Sequence, residues 1–213
     1  MTVIQLALVR LTKEQCFELA EKTSPFIDWI EVGTGVIKEY GIEILREMKD
    51  RFPDKTIVAD MKTCDAGKHE ALQAFENGAD VTTVMGFVAD TTIKDMLDVA
   101  KAKQKQVMVD LLGITESSRI EALRQMGADL LNIHIAIDLQ KEVSWSGHHF
   151  EFVKTVPDAR LAVSGGIKLE NVPFLMQQKP AVLIVGSAIT GAENPAAVAK
   201  AFKEGVDAFE ANN

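Results

Sequence analysis

A chain of 213 residues, 47% of them hydrophobic, can bury one substantial core, and no stretch rich in Pro, Gly or Ser divides it, so a single domain over residues 1–213 is expected. The formal charge of −8, with no compensating Lys/Arg cluster, argues against nucleic acid or an anionic membrane as partner and favours a small soluble ligand. Cys16 and Cys64 are the only cysteines and have no paired spacing, which supports neither a disulfide framework nor a Cys-based zinc site. The chain opens on MTVIQLALVRL, a short apolar run without the basic leader and small-residue cleavage site of a signal peptide. No later stretch reaches the roughly 18 to 20 apolar residues that span a bilayer. A cytoplasmic protein that does not enter a membrane is the expectation.

From there, short β-rich runs alternate with longer amphipathic segments, the mark of repeated βα units. Strands are expected at Val3–Val9, Ile27–Gly33, Thr56–Lys62, Asp80–Gly86, Gln106–Leu112, Asp129–Ile135, Arg160–Gly165 and Ala181–Gly186. Helix-like segments fall between and after them, near 13–24, 41–52, 67–77, 90–104, 115–126, 147–155, 169–178 and 194–210, several opened by Thr, Ser, Asp or Asn caps. Eight such units point to a closed (β/α)8 TIM barrel, with an open doubly wound sheet as the alternative. Gly78-Ala79-Asp80 recurs as Gly127-Ala128-Asp129, each closing a helix and entering a strand, which turn chemistry explains as well as duplication does.

In a barrel the C-terminal strand ends share one mouth, where barrel enzymes place their chemistry. The third strand runs out through TIVADMKTCDAG. Asp60 and Lys62 there share one side of the strand, and Asp65 lies on the loop beyond. A lysine between carboxylates persists in a water-poor place only when the charges are compensated, either as a structural salt bridge or as a reaction centre. Glu31 on strand two and Asp110 on strand five are likewise acids in apolar surroundings (WIEVG, VMVDLLG). Three acids from separate strands suggest a divalent metal site, and oxygen ligands favour Mg2+ or Mn2+ over zinc. His134, in LLNIHIAID, is either a core histidine or a proton-transfer group at the same rim. Gly165-Gly166 after strand seven and Gly186-Ser187 after strand eight offer backbone N–H groups to a phosphate. His69, His148, His149, Cys16 and Cys64 are assigned structural roles. Trp145 either contacts a ligand or packs within the 141–150 loop.

Taken in order, Ile30-Glu31-Val32-Gly33-Thr34, Ala59-Asp60-Met61-Lys62-Thr63-Cys64-Asp65-Ala66-Gly67, Val109-Asp110-Leu111, His134 with Asp138-Leu139-Gln140, Gly165-Gly166-Ile167 and Val185-Gly186-Ser187-Ala188-Ile189-Thr190 resemble the 3-hexulose-6-phosphate synthases, a family within the orotidine-monophosphate-decarboxylase suprafamily. The resemblance runs from near residue 3 to near 203. It implies a Mg2+-dependent aldol addition of formaldehyde, a small aldehyde, to the sugar phosphate D-ribulose 5-phosphate, in formaldehyde fixation by the ribulose monophosphate pathway or in detoxification. It also implies a homodimer with active sites at the subunit interface. On this resemblance Glu31 and Asp60 hold the metal, Lys62 stabilises an enediolate, His134 moves the C1 proton, Asp65 crosses from the partner subunit, and Asp110 orients metal-bound water or substrate hydroxyls. Gly165, Gly166, Gly186 and Ser187 hold the phosphate.

Two relatives share the scaffold. Orotidine-monophosphate decarboxylases carry a lysine where Glu31 stands and use no metal. The 3-keto-L-gulonate 6-phosphate decarboxylases carry Glu, Arg and Arg where this chain has Asp110, Ile137 and Ser187. A departure from the synthase pattern lies on strand one, where the family's Leu-Ala-Leu-Asp is Leu6-Ala7-Leu8-Val9. The lost carboxylate keeps a catalytically weakened sugar-phosphate-binding barrel open beside the active synthase.

Overall fold

The computed structural model describes residues 1–212. Eight parallel strands, β1 (Val3–Leu8), β2 (Trp29–Val32), β3 (Thr56–Thr63), β4 (Val81–Met85), β5 (Gln106–Asp110), β6 (Leu130–His134), β7 (Arg160–Ser164) and β8 (Val182–Val185), pair in chain order, and β8 returns to β1 to close the barrel. The closed barrel is the expected fold, and strand ends differ from the predicted ones by no more than two residues. Helices α1 (Lys13–Thr23), α2 (Thr34–Tyr40), α3 (Glu43–Arg51), α4 (Gly67–Glu76), α5 (Asp90–Lys103), α6 (Ser117–Gln125), α7 (Val172–Gln177), α8 (Ser187–Thr190) and α9 (Pro195–Ala211) complete the fold. None is long and apolar enough to cross a membrane among the described residues.

Period-2 alternation along each strand sorts the side chains into two cores. Outward residues such as Leu6, Leu8, Ile30, Ile57, Val109 and Leu183 pack beneath the helices in the larger core. Ala7, Val58, Val81, Met108, Leu130, Ala162, Val182 and Ile184 fill the lumen, with Val3, Val9 and Trp29 packed against them. Toward the C-terminal strand ends the inward positions turn polar. Glu31, Asp60, Thr83, Asp110, Asn132 and Ser164 are all buried, and register sets Asp110 beside Asn132 and His134 beside Ser164.

Helix expectations fare less evenly. The helix expected over 41–52 is α3, Glu43–Arg51, and a further helix not expected from the sequence, α2, precedes it and ends where Gly41 adopts φ 80. The helix expected at 147–155 is a 3-10 run, Gly147–Val153. The one expected at 169–178 is a 3-10 turn, Leu169–Asn171, leading into α7, whose first turn carries Pro173. The short α8 was not foreseen.

The repeated Gly-Ala-Asp tripeptides share one geometry. Gly78 (φ 97) and Gly127 (φ 96) end their helices in the left-handed region, and Ala79 and Ala128 are fully buried. Asp80 then ties the N-terminal end of the barrel together, accepting from Lys105 Nζ at 2.6 Å, Lys49 Nζ at 2.9 Å and the Ile57 backbone N–H at 3.0 Å. Burial works to raise its pKa, but the hydrogen bonds from Lys105, Ile57 and Lys49 outweigh it, and the carboxyl lies below its usual 3.8. Asp80→Asn is expected to cost about 1–2 kcal/mol of stability at neutral pH. Because the folded pKa is lowered, this contribution is complete above the unfolded value and is lost as pH falls through the folded one. Thermal melts of the two proteins should therefore differ at pH 7 and converge below about pH 4; a gap that persists in acid would refute the assignment.

Candidate active site

Lys62 organises the barrel mouth. Its Nζ lies 2.8 Å from Asp110 Oδ2 and 3.2 Å from Asp60 Oδ1, bridging β3 and β5. Lys62 adopts φ 48, left-handed for a residue with a side chain, where the β3–β4 register shifts between Ala59 and Thr63. The backbone N–H freed there donates to Thr83 Oγ1 at 2.9 Å, and the same hydroxyl donates to Asp60 Oδ1 at 2.9 Å. Thr34 Oγ1 lies 2.8 Å from Asp60 Oδ2. Asp60 is thus held from three sides. Burial would lower the Lys62 pKa, but Asp60 and Asp110 more than offset it and keep the ammonium charged well above neutral pH.

Asp110, 1% exposed, accepts from Lys62, from the Leu112 backbone N–H at 2.9 Å and from His134 Nδ1 at 2.9 Å. Burial alone would raise its pKa; the hydrogen bond and charge of His134, with those of Lys62, take it down to about 2. An ionised carboxylate only accepts, so neutral His134 carries its proton on Nδ1 and leaves the Nε2 lone pair free. The geometry can hold an ammonium and an imidazole base side by side.

Glu31 is buried, and among the described residues the one hydrogen bond to its carboxylate comes from Gln5 Nε2 at 2.5 Å. Burial first, and the charge of Asp60 second, push its pKa up to about 8. With all three acids ionised, Glu31, Asp60 and Asp110 set three negative charges against the single ammonium of Lys62. The surplus calls for a proton or a cation. Among the described residues no group of three or more His, Cys, Asp or Glu is placed to hold a metal ion. The three-acid metal site expected from the sequence is thereby corrected, since Asp110 is engaged by Lys62 and His134. Glu31 and Asp60 remain. Two hard carboxylates with excess negative charge fit Mg2+ or Mn2+, which bind through one or two carboxylates and take their other ligands from water or substrate.

Around this cluster, Gly165 (φ 96) and Gly166 (φ 63) turn in the left-handed region, and a Cβ on Gly165 would lie 2.1 Å from the Ile135 carbonyl oxygen. Trp145 Nε1 donates to the Gly165 carbonyl at 2.9 Å, so the indole packs onto the candidate phosphate turn. Gly186 leads into α8, with Ser187 exposed at its start. Val9 sits half-buried at the end of β1 with its methyls toward Gly33 and Gly186, where a Cβ on Gly33 would lie 2.6 Å from Val9 Cγ1.

Asp65 is not brought to the cluster within one chain. It is exposed and has no ion pair or side-chain hydrogen bond among the described residues, and it borders a groove of about 490 Å³ shared with His69, Thr91 and Asp95. His149 Nδ1 caps Ser146, and Cys16 is a buried thiol pushed up to about 11 by burial and by Glu14. Gln5, Thr83 and Asn132 went unremarked in the sequence. Their one signal was a polar residue at an inward position of an apolar strand.

The sequence matches the Orotidine 5'-phosphate decarboxylase / HUMPS family over residues 2–202. The chain belongs to this family. It is 37% identical over 203 residues to a 3-hexulose-6-phosphate synthase of Bacillus subtilis (strain 168), covering 94% of this chain and 97% of that one. The crystal structure of 3-hexulose-6-phosphate synthase from Salmonella typhimurium superposes with a TM-score of 0.92 at 33% identity, covering 98% of this chain and all of that one. A 3-keto-L-gulonate-6-phosphate decarboxylase from Vibrio cholerae gives 0.89 at 26% identity, covering 98% of each chain. The chain is an enzyme of this barrel type.

The raised pKa of Glu31 makes a testable statement about pH. Between about 4.5 and 8 the unfolded chain has lost this proton and the folded one still holds it, so stability should fall as pH rises through that window. Melting of the protein in EDTA from pH 5 to 8 should show that fall, and Glu31→Gln should flatten it. A variant with the same slope as the unaltered protein would contradict the assignment.

Proposed function

We propose that the enzyme is a 3-hexulose-6-phosphate synthase, adding formaldehyde to D-ribulose 5-phosphate. The observation that carries this reading is the Lys62–Asp110–His134 contact beside the buried acid Glu31, in a chain that synthases of that name match almost from end to end. Identity to the synthases (33–37%) exceeds that to the gulonate decarboxylase (26%), which favours aldol addition over decarboxylation.

The residues divide the work by position. Backbone N–H groups around Gly165, Gly166, Gly186 and Ser187 grip the phosphate, and this remote binding energy sets C1 of the pentulose near His134. His134 Nε2 takes the C1 proton, and Asp110 steadies the imidazolium that results. Negative charge then develops on the two oxygens of the enediolate, where the Lys62 ammonium is already in place and needs no reorganisation. Glu31 and Asp60 would hold Mg2+ or Mn2+, which when bound supplies further fixed positive charge at these oxygens. C1 next attacks the formaldehyde carbon, a new C–C bond forms, and the alkoxide takes a proton to give 3-hexulose 6-phosphate. The low-dielectric lumen strengthens each of these charge contacts.

The assay is consumption of formaldehyde in the presence of ribulose 5-phosphate. Turnover should need both substrates, stop with EDTA and return with Mg2+, while Lys62→Ala should lose at least a hundredfold, roughly, in kcat. Phosphate-ester binding without turnover would leave a silent barrel, and release of CO2 from 3-keto-L-gulonate 6-phosphate alone would make it a decarboxylase.

We further propose a homodimer in which Asp65 completes the partner's site, since within one chain Asp65 has no charge partner among the described residues. Lys62→Ala and Asp65→Asn subunits, each inactive alone, should recover about a quarter of the activity after mixing and exchange, because half the dimers then carry one intact site. A monomer by sedimentation, or no recovery after exchange, would count against it.

A further inference from the structure

The two acids assigned to the cation are held very differently. Asp60 is fixed by Thr83, Thr34 and Lys62. Glu31, with a longer and freer side chain, has one hydrogen bond to its carboxylate, from Gln5.

Gln5 is itself unusual. It is fully buried in the middle of VIQLAL, its register neighbours are Trp29 and Ile184, and the lumen around it is apolar. Its Nε2 reaches Glu31 at 2.5 Å, while its Oε1 has no hydrogen-bond partner among the described residues. A leucine would fill this space without burying an unsatisfied acceptor, which typically costs about 1–3 kcal/mol. Packing therefore gives no reason for an amide here. A donor aimed at Glu31 does, because the ionised carboxylate that would receive a cation accepts only, and among the described residues no other side chain donates to this one.

We propose that Gln5 is a positioning residue, its amide N–H holding the Glu31 carboxylate in the orientation in which it and Asp60 together receive a divalent cation. The inference rests on the metal assignment made above and deepens it. Groups that orient metal-binding side chains in this way commonly change metal affinity by about 10- to 100-fold when removed.

The test is Gln5→Met, which keeps chain length and apolar packing and deletes the donor. Mn2+ binding to the protein without substrate, followed by the loss of the free-ion paramagnetic resonance signal, should weaken about tenfold or more. A single cooperative thermal transition should show that the variant is folded, and its affinity for inorganic phosphate should stay as in the unaltered protein. Unchanged Mn2+ affinity in the folded variant would overturn the inference and leave the metal assignment standing. Failure of the unaltered protein to bind Mn2+ would overturn both, so the two failures are distinct. A second measurement needs no variant: the side-chain amide resonances of Gln5 should shift with Mg2+ and saturate with its binding, and resonances that stay still through saturation would equally sink the proposal.

Discussion

The contact of Lys62 with Asp60 and Asp110 is the constraint on which the rest of the mouth depends. A buried ammonium is tolerable only beside carboxylates, and carboxylates in an apolar lumen are tolerable only beside cations or donors. Once β3 and β5 carry this bridge, their relative height in the barrel is set. Asp110 Oδ2 then accepts from both Lys62 and His134, and Oδ1 takes the Leu112 backbone N–H. Thr83 and Thr34 follow from the same need, since a buried carboxylate must find hydrogen-bond partners for both oxygens. The bulge at Lys62 belongs to this account. A left-handed lysine is a strained choice, and it persists because Thr83 takes up the displaced N–H while the ammonium is held by two acids.

Much of this was open to a reader of the sequence alone, for a definite reason. A barrel strand has a period of two, and an acid in the middle of WIEVG, IVADMK or VMVDLLG has to face either an apolar helix layer or the lumen. Only the lumen end offers partners, so Glu31, Asp60, Lys62, Asp110 and His134 could be placed at one rim before any coordinates. The glycine turns at Gly165 and Gly186 were legible on similar grounds, as residues ending strands where helices had yet to begin.

What stayed hidden depended on pairings between strands. The metal expectation counted three acids, but which of them is free depends on where His134 and Lys62 reach, and only tertiary geometry gives Asp110 to both. The left-handed turn at Lys62 has no local signature, because lysine does not favour it. Gly41 stood at the start of the expected helix, and nothing about it told that a short helix, α2, ends there. Gln5 and Thr83 looked like ordinary interruptions of apolar strands until their partners were known.

The same lysine-and-aspartate frame can serve more than one reaction, so the sign of charge at the second strand decides how it is used. A lysine there would balance the acids and leave no call for a cation. Glu31 tips the balance the other way: its proton is held up to about pH 8 because burial and Asp60 both oppose its charge. Burial and Asp60 thus oppose the charge of Glu31 together, and the proposed divalent cation would relieve both. Val9 sharpens the point. An acid at the end of β1 would add a further negative charge beside Gly33 and Gly186, whereas methyl groups leave the excess concentrated on Glu31 and Asp60. An acid in place of Val9 would therefore change the charge at the rim beside Gly33 and Gly186.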